Sequence, residues 1–418
     1  MDTWEAWEAK TQRLLAAQQW EACIQHISSV NEEHRNDKKY LRSIERTCKK
    51  IVTLPTYQED IRIVRKLAYI YYTACSIHQD KPILKQDKQY CERQAAQYFS
   101  VLLKQQRQPR DVYYYAQLLY RHANQFFLTE SVAAKVQKKE KAYDLYEEVL
   151  QKIENEKVDR HARLYSQACY ALGRCGLELL SGYSVLLQEI ALVTDMPPLL
   201  FRNKQTSMER LRRIHACLDT VRAIEHLPRR VPHLSDIRHV HTSYAYTDHI
   251  YYLLGKAFDY AWKFGLCNNK VLAYQWAERY YTYACEINYH KMTGQKNKRI
   301  SYYMYMALVN LYIRKKDKRK CAALWQRYQL SQHIPRGCQQ ITGIRWAIIE
   351  RNYEKARNML MACQKENNWQ EGLSKQRVIA CINIVNALQG KIEKEYTAGY
   401  SDTQIKILLK VIKQGNMA

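Results

Sequence analysis

The chain has 418 residues, 47% of them hydrophobic, which is enough for a sizeable core. With only 12 glycines and 8 prolines it lacks the turn residues that a β-rich fold consumes. Its formal charge of +25 favours anionic partners, and no stretch approaches the roughly 18 uninterrupted apolar residues that a membrane helix needs.

Apolar residues recur at helical spacing along almost the whole chain. A helix pair is expected at 3–17 and 20–30, followed by a charged helix that stops near Leu54-Pro55. Long helices follow at 57–78 and 88–106. Pro109 and Asp111 then open a helix through Tyr113, Leu118 and Phe126, because proline at a first helical position and an acid in the first turn both suit a helix start. Helices at 138–153 and 160–180 form the next pair. Met196-Pro197-Pro198 marks a loop, and a basic helix is expected at about 206–225. The run from His226 to His233 contains Pro228 and Pro232 and cannot be one helix. Pairing resumes at 243–264 with 270–288, 298–313 with 318–330, and 337–350 with 353–365. A helix at 375–388 and an amphipathic tail at 401–413 complete the order.

Consecutive helix pairs with short connections predict an all-α fold, an α-solenoid of stacked antiparallel hairpins. The organisation expected is an N-terminal helical cap at 1–55, a first array at 56–195, an irregular basic hinge at 196–242, a second array at 243–390 and a tail at 391–418.

Several pairs resemble the tetratricopeptide repeat, which places a large residue, Leu-Gly or Leu-Ala, and an aromatic on its first helix. Tyr251, Leu254, Gly255 and Phe258 match that pattern, as do Val64, Leu67, Ala68 and Tyr71. Ala142-Tyr146-Val149 and Ala95-Phe99-Leu102 match the second helix. Tyr305, Leu308 and Tyr312 followed by Cys321, Trp325 and Tyr328 fit a whole repeat, with Val309 in place of the small residue, and Asn352 to Ala356 looks like another second-helix start. The match is degenerate, and many repeats exceed the usual length. The resemblance implies a concave groove lined by first helices. It places there Arg62, Arg65, Tyr69 and Tyr72, then His249, Tyr252 and Lys256, then Tyr303 and Asn310. Cations beside tyrosines suit an anionic, partly aromatic ligand.

The charge is uneven: from Arg202 to Lys320 there are 23 basic and 9 acidic residues. Its densest part is Arg314, Lys315, Lys316, Lys318, Arg319 and Lys320 around a hairpin turn, with Lys296, Lys298 and Arg299 at the other end of the same helix. Exposed basic turns contact phosphates or acidic peptides without reading sequence. His226, His233, His239, His241 and His249 lie near Asp236 and Asp248, but no spacing matches a zinc signature, so a polar hinge or a phosphate-contacting loop is expected and no metal. The thirteen cysteines stand singly without a CxxC pair and read as reduced thiols. With the acidic start Met1-Asp2-Thr3-Trp4-Glu5, they point to the cytoplasm. There is no GxxxxGK[ST], GxGxxG, HExxH or GxSxG motif, so neither catalytic residues nor a cofactor are expected.

The expectation is a non-enzymatic adaptor that holds an acidic protein or peptide segment on a basic, tyrosine-rich groove, within a larger assembly. Direct binding of RNA or single-stranded DNA is the first alternative, and a peptide-sensing regulator the second.

Overall fold

The computed structural model describes residues 4–29, 37–76, 88–124, 132–156, 161–181, 185–194, 204–224, 247–293, 300–366, 373–398 and 400–415. Among these the regular structure is helical, with twenty α-helices and a short 3-10 turn at Pro55–Tyr57. No single described helix is long and apolar enough to cross a membrane. The chain divides into two compact units at Ala171/Leu172.

The first unit holds α1 (Trp4–Ala16), α2 (Trp20–Ser28), α3 (Lys38–Val52), α4 (Ile61–Ser76), α5 (Lys88–Gln105), α6 (Pro109–Ala123), α7 (Val132–Glu156) and the start of α8 (Ala162–Ser181). Local chemistry sets the starts: the Asp37 carboxylate accepts from the Lys39 N–H at 2.8 Å, and α6 opens on Pro109 with Asp111 in its first turn. α1/α2, α4/α5 and α6/α7 pack as hairpins, with α3 against α4 and α5 against α6. One continuous core runs from Trp7 to Leu118. Its centre is built from the small-and-aromatic positions of the sequence pattern, since Leu67, Ala68, Tyr71, Ala95, Phe99 and Leu102 are fully buried.

The second unit continues with α9 (Val185–Val193), α10 (Lys204–Ile224), α11 (Thr247–Lys263), α12 (Lys270–Thr293), α13 (Tyr302–Arg314), α14 (Lys318–Arg327), α15 (Leu330–His333), α16 (Arg336–Ile349), α17 (Tyr353–Glu366), α18 (Lys375–Leu388), α19 (Lys394–Thr397) and α20 (Asp402–Gly415). α11/α12, α13/α14 and α16/α17 are hairpins, and α10 packs on α11. The small residue at Gly255 does what the repeat pattern requires: a Cβ there would lie 2.6 Å from the buried Tyr281 ring, so its absence lets α11 and α12 approach. Of the expected hinge, 196–203 and 225–242 lie outside the described residues, and α10 occupies all of the rest.

Two elements differ from the helical reading. The expected helix at 318–330 breaks at Gln329, whose φ of 47° is left-handed, and restarts as α15. α9 has no amphipathic period to find, because it is apolar almost all round and packs on α13, α16 and α18. It carries one charge inward. The Glu189 carboxylate accepts from the Arg345 guanidinium at 2.8 and 2.7 Å, and both side chains are almost wholly buried. Arg377 of α18 approaches the same carboxylate at 3.0 Å, and Arg345 also donates to the Asn310 side chain of α13 at 2.9 Å. Four helices are thereby held in register.

The repeat shows most clearly in the turns. α1, α11, α13, α16 and α18 end in the same double bond pattern, for example Asp317 N–H to Tyr312 C=O and Lys316 N–H to Ile313 C=O, both 2.9 Å. The left-handed position that closes this motif is Gly265 or Gly390 in two cases, but Gln18, Lys316 and Arg351 in the others. Among the described residues no disulfide joins any of the thirteen cysteines.

Two outcomes are expected from chemical denaturation of the full chain. Gly255→Val forces a branched side chain into the Tyr281 ring and lowers stability by about 1–3 kcal/mol. Glu189→Gln leaves the buried Arg345 guanidinium, and the half-buried one of Arg377, without their carboxylate and costs about 3–5 kcal/mol near neutral pH. Burial alone would push the Glu189 carboxyl up, but the charge and hydrogen bonds of Arg345, with Arg377, hold it below the usual glutamate value. A depressed carboxyl stabilises the fold above its unfolded value and loses that contribution as pH falls through the folded one. The gap between the wild-type chain and Glu189→Gln therefore narrows in acid.

Candidate functional site

α11 presents one face of its helical wheel, Tyr252, Lys256, Asp259, Tyr260 and Lys263, to a cavity of about 360 Å³ in the second unit. α13 adds Tyr303 and Asn310, α9 adds Glu189, and Arg345 and Arg377 come from α16 and α18. The walls are aromatic: Tyr252 meets Tyr303 edge-on at 5.3 Å and Tyr281 at 5.9 Å between ring centres. The charged lining comprises four cations and two carboxylates.

Those carboxylates are already engaged. Glu189 faces Arg345 and Arg377, while Asp259 accepts from Arg314 at 3.1 Å and from the Tyr281 hydroxyl at 3.5 Å. Among the described residues neither Lys256 nor Lys263 has a carboxylate at salt-bridge distance. The Lys256 amine rests 5.5 Å from the centre of the Tyr260 ring and hydrogen-bonds its hydroxyl. Burial works against its charge, but Tyr260, Tyr252 and Glu178 hold the amine above the usual lysine value. Lys263 goes the other way. Burial, with help from Arg314 and Arg345, pushes its amine down to about 8, against the pull of Asp259 and Glu189.

Four of the sequence-predicted groove residues, Tyr252, Lys256, Tyr303 and Asn310, line this one cavity. His249 stands behind it, its Nε2 2.8 Å from the Tyr303 hydroxyl, and burial lowers its imidazole below the usual value. The other four belong to the first unit and are tied to its own acids and rings. Arg62 binds Glu21 and Asp60, the latter at 2.7 Å. Arg65 and Tyr69 both donate to the buried Asp111, at 3.1 and 2.9 Å. The Arg121 guanidinium lies 4.6 Å from the Tyr72 ring centre and donates to its hydroxyl at 2.6 Å.

The basic turn is laced with partners as well. Arg314 lies 3.9 Å from the centre of the Trp262 ring, and the Lys315 amine 4.8 Å from that of Tyr274. Lys318 pairs with Glu350, Lys320 pairs with Glu278, and Lys316 is the left-handed residue of the turn. Arg319 is exposed. Lys296, Lys298 and Arg299 lie outside the described residues, as do His226, His233, His239, His241 and Asp236. Asp248 binds Asn288 at 2.8 Å and Lys291 at 3.0 Å. Among the described residues no three His, Cys, Asp or Glu side chains gather as a metal site.

Among the charged residues of the cavity, sequence reasoning missed Lys263, Asp259, Glu189, Arg345 and Arg377. Lys263 had a signal, since it stands two turns after Lys256 on the same stripe. Glu189 and Arg345 had none, because they are 156 positions apart.

No protein family and no curated protein sequence matches the chain. A solved structure described as a circular tandem repeat protein with novel repeat topology and enhanced subunit contact surfaces is similar at 12% identity, covering 99% of this chain and 89% of that one, with a TM-score of 0.24. The repeat architecture stands on the chain's own hairpins and turns.

Proposed function

We propose that the protein is a non-enzymatic adaptor of tetratricopeptide-like hairpins that holds an acidic protein segment at the cavity of its second unit. The observation that carries this reading is the convergence of Tyr252, Lys256, Tyr303 and Asn310 with Lys263, Arg345 and Arg377 around one space with more cations than carboxylates. Burial of Leu254 and Tyr305 and the close approach at Gly255 support the tetratricopeptide part of the reading. An acidic side chain entering the cavity would meet amines that have no carboxylate of their own, in surroundings where the attraction is stronger than in water.

Nucleic acid is the weaker reading, because it favours an extended track of exposed cations. Here several surface cations are spent on neighbours, as Lys318 on Glu350, Lys320 on Glu278 and Arg62 on Glu21 show.

Fluorescence anisotropy with a labelled Glu/Asp-rich peptide and with labelled oligo-U RNA, in about 50 and about 200 mM salt, separates the two. The expected result is peptide binding that weakens at least ~10-fold in Lys256→Glu, a loss of about 1.4 kcal/mol or more, and is unchanged in Arg319→Glu. RNA binding that is tighter than peptide binding and disappears in Lys315→Glu/Arg319→Glu would replace the adaptor with the nucleic-acid reading.

A further inference from the structure

The cavity asks for a more specific occupant than a single carboxylate. Lys256 and Lys263 are seven residues apart on α11, about 10 Å along its axis, within reach of one compact anion from two flexible side chains. Both line the cavity, and among the described residues neither is matched by a carboxylate. The two carboxylates that do line it are satisfied by Arg345, Arg377 and Arg314. A lone side-chain carboxylate brings one negative charge and leaves the second amine uncompensated. A phosphate monoester brings about two at neutral pH, with three acceptor oxygens, and lysine grips phosphate as a point charge.

The rest of the lining is suited to a flat ring. Tyr252, Tyr260, Tyr303 and Phe264 supply aromatic faces and edges, and the side chains of Gln188 and Asn310 add amide donors and acceptors. The volume, about 360 Å³, lies at the small end of the range for ligand pockets.

We infer that the cavity binds a nucleoside phosphate, its phosphate held by Lys256 and Lys263 and its base set among Tyr252 and Tyr303. This rests on the reading of the cavity as the ligand site, but not on the ligand being a peptide. Binding returns an anion to the one lysine that burial has made reluctant to hold its proton, so occupancy and protonation of Lys263 are linked. The groups facing that amine are Asp259 on α11, Arg314 on α13, Glu189 on α9 and Arg345 on α16. Of these the carboxylates favour its charge and the arginines oppose it. As pH rises through about 8 the free site loses one of its two amine charges, and phosphate affinity falls.

Isothermal titration calorimetry on the full chain tests this with the four nucleoside 5′-monophosphates, the corresponding nucleosides and inorganic phosphate. At least one monophosphate is expected to bind ~10-fold or more tighter than its nucleoside and than phosphate alone. Lys256→Met and Lys263→Met should each weaken it by ~10-fold or more, while Lys263→Arg retains most of the affinity and removes the loss between about pH 7 and about pH 9. Circular dichroism and thermal melting establish that the variants are folded. Lys263→Met removes a buried charge and should melt no lower than the wild-type chain. Absence of heat with all four monophosphates at millimolar concentration overturns the inference, as does affinity unchanged in both methionine variants. Nucleosides or inorganic phosphate that bind as well as the monophosphates also overturn it. If monophosphates fail while the acidic peptide still binds and responds to Lys256→Glu, this inference falls and the adaptor reading stands. If the monophosphates bind and the peptide does not, the reverse holds.

Discussion

A buried glutamate permits very few arrangements around it. Apolar stacking between helical hairpins is tolerant of small slides, because dispersion and water exclusion have no direction. The Glu189 carboxylate, almost wholly removed from water on α9, is not tolerant: it requires guanidinium donors at hydrogen-bond distance or it is prohibitively costly. Arg345 meets that demand from α16, Arg377 reinforces it from α18, and the spare Arg345 donors reach Asn310 on α13. The cavity wall opposite α11 is therefore placed by an ion pair whose main contribution is specificity of register rather than net stability.

Tyrosine explains how the remaining packing stays specific. The chain has 34 tyrosines and 6 phenylalanines, and the hydroxyls are used inside the hairpin arrays. Tyr71 donates to Glu45 at 2.9 Å, Tyr305 to the Cys285 carbonyl at 2.9 Å, and Tyr328 to the buried Glu286. Each ring fills the space between helices as a phenylalanine would, while its hydroxyl fixes one acceptor on a neighbouring element. Burial pushes these phenols far above their ordinary value, so they remain neutral donors at any physiological pH.

What the sequence makes legible follows from how local each signal is. α18 falls at Lys375–Leu388, the span that its apolar period predicts, and in the structure the Ser374 hydroxyl caps its start by accepting from the Arg377 N–H. Helix α7 extends further than its apolar period, to Val132–Glu156, because Ala133 and Ala134 continue it without needing a buried face. α9 escapes notice for the opposite reason, since a helix buried all round has no polar face to mark its period. The repeat is likewise better written in backbone than in side chains. Gln18, Lys316 and Arg351 occupy the left-handed turn position that Gly265 and Gly390 occupy elsewhere, so no glycine spacing betrays it. Long-range charge pairing is the least legible of all. Nothing local in the sequence shows that Arg62 meets Glu21, or that Arg65 meets Asp111.

That last point changes how the large positive charge bears on function. A net +25 describes the field felt at a distance, where it accelerates encounter with any anion. It does not locate a site, because a cation already matched by a carboxylate must give up that partner to take another. Arg62, Lys318 and Lys320 are matched in this way at the surface, and an exposed pair of that kind is nearly neutral in energy. Lys256 and Lys263 differ on both counts: they are partly buried, so their charges are costly, and among the described residues no carboxylate stands at salt-bridge distance from either. An anion arriving there gains the attraction without displacing a partner, and relieves a desolvation cost that the fold already bears. Selectivity then comes from the tyrosines and amides around the two amines, which decide which anion is flat enough and small enough to enter.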